Sequence, residues 1–110
     1  RICMHTSDKE SIHEMIMIHT IATSVGPLRQ NKQSISYHII KGKLKLSECN
    51  ANGKVINSHI LDNDHIDNKQ KYNSIRMKAN LYRKVQSLTD ETVFLEIAKG
   101  PFKDKDTEWL

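Results

Sequence analysis

Short segments with a two-residue hydrophobic period, separated by turn residues, dominate this chain. From Ser34 to Ile40 the apolar positions Ile35, Tyr37 and Ile39 fall on one side of an extended backbone. Lys43 to Cys49 alternates in the same way, with Leu44 and Leu46 facing in and Lys43 and Lys45 facing out. Met15 to Thr23 is almost wholly apolar, which suits a strand covered on both faces. Gly42 is a natural tight turn between two of these segments. Asn50-Ala51-Asn52-Gly53 is the strongest local signal: Asn-Gly accepts the positive φ angles of a two-residue hairpin turn, so 43–49 is expected to pair with 54–61.

Further along, the polar stretch Asp62 to Lys71 reads as a loop, followed by strands at Tyr72 to Met77, Leu81 to Ser87 and Thr92 to Ala98. Thr89-Asp90-Glu91 supplies the turn between the last two. Ser7-Asp8-Lys9-Glu10 has the form of a helix capping box, with Ile12, Met15 and Ile16 following at helical spacing. The β-rich surroundings favour a loop leading into a strand over a short helix there. Seven or eight short strands without a long helix predict an all-β domain, a jelly roll or small barrel. There is no internal repeat.

Composition narrows the functional classes. With 110 residues the chain forms a single domain, 1–110, long enough for one hydrophobic core. Its 37% hydrophobic and 27% charged residues are those of a soluble globular protein, and no run approaches the roughly 18 apolar residues of a membrane span. The formal charge of +4 is scattered, with no basic block interleaved with aromatics, so neither nucleic acid nor membrane is an expected partner. Cys3 and Cys49 have no metal-type or redox-type spacing and read as reduced thiols in a cytoplasmic protein. No signal-peptide pattern is present, but residue 1 is Arg, so a presequence is left open.

One stretch carries a motif. Pro27-Leu28-Arg29-Gln30-Asn31-Lys32-Gln33-Ser34-Ile35-Ser36-Tyr37-His38-Ile39-Ile40-Lys41-Gly42 resembles the metal-binding frame of the cupins, roughly P-H-x-H-x-x-x-x-E-S-x-H-x-x-x-G. Arg1-Ile2-Cys3-Met4-His5, His13-Glu14-Met15-Ile16, Asn52-Gly53-Lys54-Val55, Phe94 to Phe102 and Trp109 are similar, in order, to motifs of the WbuC family of cupin-fold metalloproteins. The resemblance spans nearly the whole chain. It implies a cupin-type jelly roll and a setting in surface polysaccharide biosynthesis. It also implies four metal ligands, and the matching positions here are Leu28, Gln30, Ile35 and Arg83.

Those four residues make a poor ligand set. Leucine and isoleucine have no lone pair, a neutral amide oxygen is a weak substitute for imidazole, and a guanidinium is a permanent cation without an acceptor. No cofactor is therefore expected. Among the six histidines no H-x-H or H-x-x-x-H pair occurs, and His38 falls on the strand face opposite Ile35.

A buried guanidinium needs a carboxylate partner, solvent or an anionic ligand. Arg83, with Gln30, Tyr37 and Arg76, is accordingly the candidate site for a small anionic or sugar-like ligand. Glu96 reads as a salt-bridge partner rather than a base. The leading expectation is a metal-free, non-catalytic cupin that binds such a ligand or a partner subunit. Its rivals are a metal-independent sugar-nucleotide isomerase or epimerase, and a purely structural homodimer that uses the Met15 to Ile18 run as interface.

Overall fold

In a computed structural model, which describes residues 1–21, 23–30, 33–63 and 71–110, the chain folds into two facing sheets. One sheet has the order β1 (Ile2–Cys3), β2 (Ile12–Thr20), β10 (Glu91–Lys99), β4 (Ile35–Lys41), β8 (Ser74–Met77). The other runs β11 (Thr107–Trp109), β3 (Ser24–Gln30), β9 (Tyr82–Ser87), β5 (Lys43–Cys49), β6 (Val55–Asp62), β7 (Lys71–Tyr72). Every pairing is antiparallel except β6 with β7. The all-β expectation holds, and neighbouring positions in each sheet come from distant parts of the chain, as in a jelly roll. Among the described residues no helix is long and apolar enough to cross a membrane.

The alternating segments put the predicted faces inward. Ile35, Tyr37 and Ile39 of β4 meet Leu44 and Leu46 of β5, Leu61, Met77, Val85 and Phe94 in one buried cluster between the sheets. Asn50 to Gly53 does join β5 to β6, but not as a two-residue turn. Asn50 Oδ1 accepts hydrogen bonds from the backbone N–H of Asn52 (2.9 Å) and Lys54 (3.0 Å), and only Gly53 takes a positive φ there, 82°. The extra residue is absorbed by a register shift between Glu48 and Cys49.

Three readings of the pattern change. Strand β2 begins at Ile12, ends at Thr20 and is covered on one face only. His13, Met15, Met17 and His19 point inward, while Ile12 and Ile18 on the outer face are 65% and 53% exposed. Second, Ser24–Gln30 is a separate strand that the turn-forming Gly26-Pro27 pair hides in the sequence. Gly26 has φ 103°, and a Cβ there would lie 2.4 Å from the carbonyl oxygen of Arg83, so only glycine lets β3 approach β9 this closely. Third, of the polar stretch read as a loop, Asp62 closes β6, Lys71 opens β7, and 64–70 lie outside the described residues.

The capping-box residues form a turn and no helix. Glu10 Oε2 accepts from the N–H groups of Thr6 and Ser7, and Ser7 Oγ accepts from Lys9 N. The chain then enters β2 because Gly100 N donates to Ser11 O and Phe102 N to Asp8 O, which ties this segment to the end of β10.

Candidate functional site

Between the sheets lies a cavity of about 220 Å³. Strand register arranges its walls in three tiers. In the first, Met17 faces Phe94 and Val25 faces Val85. In the second, Glu96 lies between Met15 and Tyr37, and Leu28 faces Arg83. In the third, Ala98 lies between His13 and Ile35, and Gln30 follows Leu28 on β3. All of these residues line the cavity, as do the exposed Arg1 and Lys99. Leu28 and Ile35 thus form wall rather than fill.

The middle tier holds the polar centre. Arg83 is 7% exposed, and its Nε donates to the hydroxyl of the fully buried Tyr37 at 2.6 Å. Among the described residues this is the guanidinium's only hydrogen bond, so Nη1 and Nη2 are uncommitted. The Glu96 carboxyl lies beside Tyr37 on the neighbouring strand and is electrostatically coupled to it and to Arg83. Burial pushes the Tyr37 phenol well above its usual range, the Arg83 charge pulling the other way and the Glu96 charge adding to the rise. Burial likewise raises Glu96, opposed by the Arg83 charge and the Tyr37 hydrogen bond. Two buried polar atoms on the cavity wall have no partner among the described residues, Gln30 Oε1 and His19 Nδ1. Gln30 Nε2 is held by Thr107 Oγ1 at 2.9 Å, which fixes the amide. His19 stands edge-on to Phe94, ring centroids 5.1 Å apart, and burial lowers its pKa.

The structure therefore brings Leu28, Gln30, Ile35, Tyr37 and Arg83 to one cavity. It does not bring Arg76. That residue pairs with Ser36 on the outer face of β4 and donates through Nε to Ser36 Oγ at 3.1 Å. Strand parity is the reason: Met77 faces in opposite Ile35, so its neighbour must face out. Sequence reasoning treated Glu96 as a bystander salt-bridge partner and missed His13, Met15, Met17, His19 and Phe94 as lining. The signal for β2 was its odd-numbered positions, obscured because the even-numbered ones are also mostly apolar. His13 is a structural imidazole that stacks on His5 at 4.1 Å, with Nε2 3.1 Å from the carbonyl oxygen of Asp8. His38 is on the outer face of β4, opposite Leu95. Among the described residues no group of three or more His, Cys, Asp or Glu side chains is placed to hold a metal ion.

No family model matches the sequence, and no curated protein does. Solved structures do match. The capsular polysaccharide assembling protein CapF from Staphylococcus aureus superposes with a TM-score of 0.72 at 15% identity, over 96% of this chain and 29% of that one. Protein SO0799 from Shewanella oneidensis gives 0.73 at 10% identity, over 93% of this chain and 63% of that one. A variant of the oxalate decarboxylase OxdC from Bacillus subtilis gives 0.65 at 16% identity, over 92% and 24%. CapF and oxalate decarboxylase are cupin-fold proteins, and the present chain has the cupin-type jelly roll. It spans less than two thirds of the length of each of these three neighbours.

Proposed function

We propose that this is a metal-free cupin-fold binding protein whose barrel cavity takes a small anionic or sugar-like ligand on Arg83. The observation that carries this is a buried guanidinium with two nitrogens uncommitted among the described residues, on the wall of a cavity where Gln30 Oε1 also lacks a partner among them. Buried polar groups of this kind are normally satisfied. On the resemblance to the WbuC-like cupins, we read Leu28, Gln30, Ile35 and Arg83 as converted metal positions. Their donor set, one neutral amide oxygen beside a fixed cation, does not fit a transition metal. The same resemblance, together with the likeness to a capsular polysaccharide assembling protein, supports a role in surface polysaccharide biosynthesis.

A sugar-nucleotide isomerase fits the site less well. Its nucleotide would have to lie outside a cavity of about 220 Å³, below the roughly 300 Å³ at which drug-sized pockets begin. The raised Tyr37 hydroxyl is also a poor proton donor near neutral pH. The test is thermal unfolding with a panel of small anions, on the parent and on Arg83→Ala. Anion-dependent stabilisation of the parent that the variant loses supports the proposal; no shift of the parent with any anion sinks it.

A second reading, which concerns assembly, rests on the outer face of the β1–β2–β10–β4–β8 sheet. Ile12, Ile18 and Ile40 are exposed there next to the half-buried Ile16 and Leu95. An apolar surface of this kind suits pairing of two copies into a homodimer.

A further inference from the structure

We infer that the ligand is a carboxylate with a compact apolar body, an aromatic or branched aliphatic monocarboxylic acid, and not a sugar. This rests on Arg83 being an anion site and adds the class of molecule that the cavity selects.

The tiers set this specificity. On one side of Arg83 the wall is Met17, Val25, Val85 and Phe94, which offer no side-chain hydrogen-bonding group, and the single polar atom at that end is Nδ1 of His19, edge-on to Phe94, so a body with several hydroxyls would leave all but one unpaired there. A sugar hydroxyl buried against them would lose its water without replacement, at about 1–3 kcal/mol for each group. An aromatic ring or branched alkyl group gains there instead, at roughly 25 cal/mol per Å² of apolar surface buried. The volume of about 220 Å³ has room for one ring and a carboxylate.

Charge favours an acid over a neutral body of the same shape. Arg1, Arg83 and Lys99 line the cavity against one carboxylate, Glu96. The planar guanidinium presents Nη1 and Nη2 together, the arrangement that receives a carboxylate through two parallel hydrogen bonds. Glu96 lies on the same tier, and burial makes it hold its proton more readily than an exposed glutamate, which eases the approach of a second acid.

The test is calorimetric titration of the whole chain with three probes: benzoate, glucuronate and benzyl alcohol. Glucuronate keeps the charge with a hydroxylated body, and benzyl alcohol keeps the body without the charge. Benzoate is expected to bind at least about tenfold more tightly than either, the scale of one charge-assisted hydrogen bond. Arg83→Gln is expected to remove that advantage and Arg83→Lys to remove part of it. Glucuronate binding as well as benzoate, with both weakened in Arg83→Gln, would overturn the apolar class and leave the anion site standing. Benzyl alcohol binding as well as benzoate, unaffected by either variant, would overturn both, as would no heat from any probe. Should Arg83→Gln not fold, Arg83→Lys and the ranking of the three probes on the parent decide the matter.

Discussion

Replacing Arg83 with methionine removes the buried cation beside Glu96 and Tyr37 in the barrel. The variant loses the 2.6 Å hydrogen bond to Tyr37 and leaves Glu96 with only the weaker influence of the exposed Arg1 to favour its charged form. Removing one partner of a buried charged pair costs about 3–5 kcal/mol when the other must stay ionised. Glu96 can avoid most of that cost by taking up a proton. The loss should therefore depend on pH. In the parent, burial already raises Glu96 above its usual value of 4.5 while the Arg83 charge works against that rise, so the variant raises it further. A carboxyl whose folded pKa lies above its unfolded one binds more protons in the native state, and stability falls as pH climbs between the two values. Arg83→Met should thus cost about 1–2 kcal/mol at pH 5, mostly the lost hydrogen bond, and about 3 kcal/mol at pH 8. For a domain of this size that is a further drop of roughly 5–10 °C in Tm between the two conditions.

The assay is urea unfolding followed by circular dichroism at pH 5 and pH 8, for the parent, Arg83→Met, Glu96→Gln and the double variant. The pH dependence of Arg83→Met should vanish in the double variant, because glutamine cannot ionise. An equal loss at both pH values, or a pH dependence that survives Glu96→Gln, would refute the coupling of Arg83 to Glu96.

Other outcomes follow from single contacts. Glu96→Gln alone should remove the part of the parent's stability that declines above pH 4.5, seen as a urea midpoint that rises more, or falls less, from pH 5 to pH 8 than the parent's, the lowered His19 contributing a rise to both proteins. Gly26→Ala should cost about 2–4 kcal/mol in urea unfolding, since the new methyl meets the Arg83 carbonyl oxygen at 2.4 Å from a backbone φ of 103°. Tyr37→Phe leaves Arg83 Nε without its 2.6 Å bond and should cost about 1–3 kcal/mol, again by urea unfolding. Ile18→Lys, on the outer sheet face, should turn a dimer into a monomer in light scattering without lowering the monomer's Tm by more than a few degrees.

Much of the architecture was legible because alternation survives wherever one face is polar. β4, with Ile35, Tyr37 and Ile39 against Ser36 and His38, and β5, with its paired leucines, read directly from the chain. β2 did not, because Ile12, Ile16 and Ile18 make its outer face as apolar as its inner one, and a two-residue period carries no information when both phases are apolar. β3 was hidden by Gly26-Pro27, residues that normally end a strand and here bulge it toward β9. The site was legible where spacing within one strand fixes direction. Leu28 and Gln30 are two apart, as are Ile35 and Tyr37, and each pair faces the cavity. Arg76 was misplaced because its direction depends on which phase of β8 meets Ile35, and that is decided by register between strands some forty residues apart. Glu96 and His19 entered the site for the same reason, through pairings that no local pattern encodes.

We propose that Arg83 anchors a carboxylate inside the barrel. This is tested most directly by a crystal soaked in 4-bromobenzoate, whose aryl bromide is inert to the histidine and methionine side chains of the wall, with diffraction recorded at the bromine edge and at the edges of the common transition metals. The account predicts a bromine peak inside the barrel, a carboxylate within about 3 Å of the Arg83 terminal nitrogens, and no metal peak at Leu28, Gln30 and Ile35. A stoichiometric metal in that cavity, or bromine only outside the barrel, would contradict it.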